Sequence, residues 1–134
     1  MSNTRSPIFY KGRSLGILIL TAAQVFIGSV HALVGFLLLF SEVSLQVTVA
    51  YDVYTVFFGL LTLFFTVFIW QGKETGWLGT MAVSIFVIVA DALTVLNLPS
   101  IPGIPKFAAP TEIVYSLIIV VYLLQSSVRK KYFK

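Results

Sequence analysis

Four long runs of apolar side chains constrain this chain more than any other feature of its sequence. Each run is close to the roughly 20 mostly apolar residues that a helix needs to cross the hydrocarbon core of a bilayer. The runs cover residues 15–40, 53–70, 77–98 and 110–127. Only 10% of the 134 residues are charged, whereas about 25% are charged in an ordinary soluble domain. The sequence therefore predicts an integral membrane protein with a single membrane domain, residues 1–134.

The connections between these runs predict an all-α, antiparallel four-transmembrane-helix bundle. Strands of a membrane barrel alternate polar and apolar residues, whereas these runs are apolar on every side. A short polar turn at 71–76 joins the second and third helices as an antiparallel hairpin. The outer loop 99–110 is rich in proline, which removes a backbone donor and excludes a helix there.

The lysines and arginines predict the orientation of the bundle. Eight of the nine lie before the first helix, in the second loop or after the fourth helix, and only Lys106 lies opposite. The eight are Arg5, Lys11, Arg13, Lys73, Arg129, Lys130, Lys131 and Lys134. Because cytoplasmic loops are enriched in these residues, we expect a multi-pass protein of the cell membrane with both termini in the cytoplasm. Topology and attraction to anionic lipid explain the net charge of +4, so no nucleic-acid partner is predicted.

Two side chains inside the predicted spans mark a candidate functional site. Ionisable groups are costly in a bilayer, so His31 in the first helix and Asp91 in the third are functional hypotheses. We expect both at similar depths in the outer half of the bilayer, with Gln24 on the same helical face as His31. Two interpretations stay open. The three side chains satisfy one another as a structural polar group, or His31 and Asp91 bind a proton or an ion.

The remaining polar and aromatic residues have structural interpretations. Asp52 and Glu112 fall at the outer starts of helices, where a carboxylate stabilises the helix dipole. A weak outer metal site is their alternative role, but no ligand spacing typical of a metal centre occurs, so no metal is assigned. Trp70 and Trp77 bracket the polar turn, as interfacial anchors do. With no cysteine and no nucleotide-binding or nucleophile motif, we predict no cofactor and no enzymatic activity.

Three short motifs resemble those of small four-helix membrane proteins of archaea and bacteria, whose function is unknown. A basic segment with a glycine leads into the first helix at 11–20, and residues 69–77 read Ile-Trp, a short basic turn and a second Trp. An aliphatic-Tyr-Leu run at 121–124 is followed by a basic, aromatic tail at 128–133. The resemblance covers nearly the whole chain, and it implies a fold without implying any catalytic residue.

Three functional hypotheses follow from these patterns. The first is a non-catalytic accessory subunit that packs laterally through its helices in a larger membrane protein complex. The alternative is a small proton- or ion-coupled transporter or channel-like homo-oligomer that uses Asp91 and His31. A further alternative is an accessory subunit of a metal-dependent membrane oxidase. The partners expected are the lipid bilayer and other membrane subunits or copies of this chain.

Overall fold

The computed structural model describes residues 9–10, 13–41 and 46–133. Its elements are β1 (Phe9–Tyr10), β2 (Arg13–Ser14), α1 (Leu15–Leu39), α2 (Gln46–Trp70), α3 (Glu74–Val95), α4 (Ala109–Leu124) and α5 (Ser126–Arg129). The architecture is helical, as the sequence predicts. The difference is a two-residue antiparallel strand pair before α1, in which Phe9 lies opposite Ser14 and Tyr10 lies opposite Arg13.

Three of the helices have the length and composition of membrane spans. Leu15–Leu39, Val49–Trp70 and Glu74–Val95 each reach a mean hydropathy of 2.1 over 18 residues. α4 is shorter, with 16 residues, or about 24 Å of helix, because the backbone leaves the helix at Gln125. The fold is compatible with a membrane protein, and it has three helices of spanning length where the sequence predicts four.

Several helix boundaries differ from the prediction; both ends of α3 lie three residues earlier than predicted, and the start of α2 differs most. α2 begins at Gln46 rather than near residue 53, so Asp52 lies inside the helix and not at its start. The helix-cap role predicted for Asp52 is therefore wrong. α4 ends at Leu124, and the chain bends at Gln125 into the short α5 instead of continuing straight to residue 127.

Many polar side chains are buried inside the bundle, whereas large apolar side chains cover its outer surface. Large apolar side chains are exposed on the long helices, including Phe26 and Phe57. The buried polar residues are Thr21, Gln24, Asp52, Thr55, Thr62, Thr66, Thr80, Ser84, Asp91 and Ser116. The Thr21 hydroxyl donates to the Ile17 carbonyl one turn earlier at 2.8 Å, and other threonines form similar bonds. An apolar surrounding requires this arrangement, because lipid offers polar groups no hydrogen-bond partner.

Glycines hold α1 and α2 at close range. Gly28 and Gly35 on α1 and Gly59 on α2 are buried where the two helices meet. A Cβ atom on Gly59 would lie 2.6 Å from the Gly28 carbonyl oxygen, and it would also collide with the backbone of Ala32. Small residues let membrane helices approach this closely. α1 and α2 therefore pack backbone against backbone.

One end of the bundle carries the start of α1, the α2–α3 turn and the C-terminal tail, and we call it the basic end because Arg13, Lys73 and Arg129 lie there. An apolar cluster fills this end. It comprises Ile17, Leu20, Ile69, Trp77, Met81, Ile119, Leu123, Val128 and Tyr132. The Tyr132 hydroxyl donates to the Ile69 carbonyl at 3.2 Å, which attaches the tail to α2.

The opposite end, which we call the loop end, is covered by the connection between α3 and α4. In this connection, residues 96–108, the Ser100 hydroxyl donates to the Ala90 carbonyl at 2.8 Å. Ile104 is buried in a small apolar cluster with Ala90 and Ala109. The proline-rich loop therefore folds back onto the bundle and positions the start of α4 beside the end of α3.

We expect Gly59→Ala to separate α1 from α2, because the added methyl group overlaps backbone atoms that cannot move independently. The free energy of unfolding should fall by about 1–3 kcal/mol, which is the usual cost of overpacking a core. Thermal unfolding of the purified protein in mild detergent measures this. Ala50→Leu is the control, because Ala50 is exposed on the same helix. Equal thermal stability of Gly59→Ala and wild type would contradict the close helix contact.

Candidate functional site

Asp91 on α3 is fully buried, with 0% of its surface exposed. Neither carboxylate oxygen meets a hydrogen-bond donor within the described part of the chain. The residue lies about one turn before the end of α3 at Val95, where the carbonyl end of the helix dipole disfavours a negative charge. A lone buried carboxylate is costly, so Asp91 requires a neighbour that shares a proton or supplies a positive charge.

His31 on α1 faces Glu112 in the first turn of α4. The two atoms that meet are His31 Nε2 and Glu112 Oε1, 3.5 Å apart. His31 Nδ1 donates to the Ile27 carbonyl at 2.8 Å, because a carbonyl oxygen can only accept. A neutral ring with its proton on Nδ1 presents a lone pair to Glu112. The contact is therefore favourable only when the pair holds one further proton, on the imidazole or on the carboxyl group.

Glu112 also connects this pair to Asp91. The carboxyl groups of Asp91 and Glu112 interact electrostatically. Two ionised carboxylates would repel each other, so the pair is more stable when one of them holds a proton. His31 interacts electrostatically with both carboxyl groups. The three side chains, from α1, α3 and α4, form what we call the His31–Glu112–Asp91 cluster, and it lies toward the loop end.

An apolar cleft of about 480 Å³ lies beside the cluster, between α1 and α4. Its lining residues are Ile27, His31, Phe58, Val87, Phe107, Ala108, Thr111, Glu112, Tyr115 and Ser116. The His31 ring packs edge-to-face on Phe58, with centroids 4.8 Å apart. Within the pair, 23% of the His31 side chain and 28% of the Glu112 side chain are exposed. The cleft thus gives an approaching molecule or water access to two members of the cluster, while Asp91 stays enclosed behind them.

The structure brings His31 and Asp91 together through Glu112, and it places Gln24 elsewhere. Gln24 is buried, and its Oε1 accepts a hydrogen bond from the Thr66 hydroxyl at 3.2 Å. This bond joins α1 to α2 nearer the middle of the bundle. Gln24 therefore contributes to helix packing and not to the cluster.

The two tryptophans lie in different surroundings. Trp77 is buried, its indole N–H donates to the Leu123 carbonyl at 2.9 Å, and its ring meets Phe133 edge-to-face at 5.0 Å. Trp77 thus joins α3 to α4 at the basic end, which differs from the interfacial anchor that we predict from the sequence. Trp70 is half-buried at the end of α2, and its anchoring role stays a prediction.

The carboxylates and the histidine do not assemble a metal centre in the described segments. Across residues 13–41 and 46–133, no group of three or more His, Cys, Asp or Glu side chains is placed to hold a metal ion. Asp52 is buried within α2, and it is not among the groups that interact with His31 or Asp91. The outer metal site of Asp52 and Glu112 therefore finds no support here.

Sequence reasoning assigned Glu112 to a helix start and missed it as the partner of His31. Glu112 does lie in the first turn of α4, where the helix dipole favours its charge. The signal in the sequence that could have identified this pairing is the depth at which Glu112 is predicted to lie in the bundle. Because α3 and α4 run antiparallel, the end of one and the start of the other meet at the loop end, which places Glu112 beside Asp91.

Comparisons with protein-family models, curated proteins and solved structures find no match to this chain. The likeness to small four-helix membrane proteins therefore depends only on the three motifs in the sequence.

We expect Asp91→Asn to stabilise the protein. The substitution removes a buried group without a donor and adds an amide N–H₂ that can donate to Glu112, a change of about 1–3 kcal/mol in the free energy of unfolding. Thermal unfolding in detergent at neutral pH should therefore show a higher melting temperature. Val87→Ala, at a buried apolar position of the same helix, is the control and should lower it. A lower melting temperature for Asp91→Asn would show that Asp91 has a stabilising partner.

Proposed function

We propose that this protein is a small proton- or ion-coupled membrane transporter, and that the His31–Glu112–Asp91 cluster is where the proton or ion binds. One observation carries the proposal: Asp91 is fully buried without a donor and adjoins a carboxyl group that is itself paired with a histidine. A purely structural polar group would have its acceptors matched by donors. Strained or unsatisfied ionisable groups in a bilayer belong mainly to functional sites.

The count of donors and acceptors explains how the cluster would work. With His31 Nδ1 donating to a carbonyl, the contact between His31 and Glu112 needs one proton, and a second proton removes the repulsion between the carboxylates of Glu112 and Asp91. Loss of either proton leaves two acceptors facing each other, which disfavours that state unless a cation replaces the proton. The cluster therefore couples proton release to cation uptake, and the cleft beside it provides the route.

We also propose that all four long helices cross the membrane. The N-terminal side of α1, the α2–α3 turn and the tail after α4 lie together at the basic end, which supports four crossings of the cell membrane with that end in the cytoplasm. α4 spans about 24 Å against a hydrocarbon core of about 30 Å. Local thinning of the bilayer around a short helix compensates for such a difference at modest cost.

Single-cysteine labelling tests this topology, because the natural chain contains no cysteine. Ser127→Cys and Lys73→Cys should both react with a membrane-impermeant maleimide only after the cytoplasmic side is opened. Pro102→Cys in the loop end should react in intact cells. All three residues are exposed in the structure, so accessibility depends on the side of the membrane. Labelling of Ser127→Cys and Pro102→Cys from the same side would contradict four crossings.

Proton flux in reconstituted vesicles tests the transport function. An imposed potassium diffusion potential should drive proton uptake by vesicles that contain the wild-type protein, and Asp91→Asn should reduce this uptake to that of empty vesicles. The reason is that an amide can neither take up nor release the proton. A fluorescent pH indicator trapped inside the vesicles measures the rate.

Asp52→Asn is the matched control, because Asp52 is also a buried aspartate but lies outside the cluster. Its flux should equal that of the wild type. Absence of flux in wild-type vesicles, or equal flux in the wild type and Asp91→Asn, would refute the transport proposal.

The accessory-subunit hypothesis stays a prediction. A stripe of exposed apolar residues runs along α2 and would suit a lateral partner; it consists of Phe57, Leu60, Phe64 and Val67. Lipid chains cover such a stripe equally well, so it selects no protein partner. The oxidase-subunit hypothesis has no metal-binding group to support it within the described residues.

A further inference from the structure

We infer that the cleft between α1 and α4 binds a lipophilic organic monocation, which competes with protons for the His31–Glu112–Asp91 cluster. The inference rests on the proposed transport function, and it names the class of substrate. It follows from the charge of the cluster, from the aromatic wall of the cleft and from the contrast with other grooves on the surface.

The charge of the cluster is complementary to one positive charge. The cluster contains two carboxyl groups and one imidazole, so a protonated His31 balances one carboxylate and leaves the other without a counter-charge. A monocation beside Glu112 would complete the balance. Glu112 is the carboxyl group that such a ligand can reach, because it lines the cleft whereas Asp91 is fully enclosed.

The wall of the cleft suits a cation with an apolar body. Phe58, Phe107 and Tyr115 line it together with aliphatic side chains, and aromatic faces attract organic cations. Phe107 lies just before α4, and 87% of its surface is exposed. An exposed aromatic residue beside a carboxylate is what recognition of such a ligand would use.

Two other grooves on the described surface lack this combination. One lies around Phe65 between α2 and α3, and another lies around Leu63 between α1 and α2. Both are at least as large as the cleft, but neither contains a carboxylate or a histidine. They are suited to lipid chains, whereas the cleft combines apolar walls with a negatively charged end.

Binding of the cation would release a proton. One proton of the cluster passes to water as the cation takes its place, so one positive charge enters and one leaves. The titratable groups facing Glu112 are His31 from α1, Tyr51 and Tyr54 from α2 and Asp91 from α3, with Tyr115 on α4 itself. The phenols are uncharged at neutral pH, so the proton comes from the cluster. The cation should therefore bind more tightly as the pH rises.

Equilibrium binding of radiolabelled tetraphenylphosphonium to the full chain in lipid nanodiscs tests the inference. We expect one saturable site per chain, tighter binding from mildly acidic to mildly alkaline pH, and a loss of about tenfold or more in affinity for Glu112→Gln. Triphenylphosphine oxide, which has a similar apolar body and no charge, should not displace the cation.

Phe107→Ala is a second variant, which should fold normally because Phe107 is exposed. Loss of its aromatic face should weaken binding by about two- to fivefold. Phe57→Ala is its matched control, an exposed phenylalanine on α2 outside the cleft, and should bind like the wild type. Full displacement by triphenylphosphine oxide, or unchanged affinity in both Glu112→Gln and Phe107→Ala, would overturn the inference.

The two proposals fail in different ways. If tetraphenylphosphonium does not bind but proton flux depends on Asp91, the substrate class is wrong and the transport function stands. If tetraphenylphosphonium binds with the expected dependence on pH and Glu112 but the wild type conducts no proton flux, the binding site stands and the transport function is wrong.

Discussion

An apolar exterior forces the polar side chains of this bundle into its centre, and most of the structure follows from that constraint. Threonines such as Thr21 donate to carbonyls of their own helix, which satisfies a hydroxyl without a partner from another helix. Gln24 and Thr66 form a hydrogen bond between two helices. The two helices, α1 and α2, are already in contact. Apolar burial between helices contributes little in lipid, so close approach at glycines such as Gly59 supplies the packing between α1 and α2.

The ends of the helices explain why the cluster lies where it does. Glu112 is in the first turn of α4, where amide groups favour a negative charge, and Asp91 is near the end of α3, where carbonyl groups disfavour one. The folded loop 96–108 brings these two opposite environments side by side and covers them from the loop end. Glu112, at the helix end that favours a negative charge, is also the member of the pair that faces both His31 and the cleft.

The architecture could be predicted from the sequence, because hydropathy and the positions of prolines and basic residues are local signals. The runs that predict the first and third spans match α1 and α3 closely. The start of α2 was missed because the polar residues before Asp52 conceal the first turns of the helix. At the site, His31 and Asp91 could be identified because ionisable side chains are costly within apolar runs. No local signal predicts which side chains they meet. The role of Glu112 and the pairing of Gln24 with Thr66 depend on the order of helices around the bundle, and the burial of Trp77 depends on how the tail folds back.

The helix contacts also indicate which part of the bundle can open. α1 and α2 meet through backbone at glycines, whereas α1 and α4 meet in the described residues through side chains, with Gly16 against the Tyr122 ring and His31 against Glu112. The cleft lies along this second contact. A change of charge at the cluster therefore acts on the loop-end part of this interface, where His31 meets Glu112. A separation confined to the loop end would leave in place the glycine contact between α1 and α2 and the apolar cluster of the basic end, to which Ile17 of α1 and Ile119 of α4 both belong. His31 and Glu112 form part of this interface and also belong to the proposed proton site, so under the proposed function a change in protonation would act directly on the contact between α1 and α4.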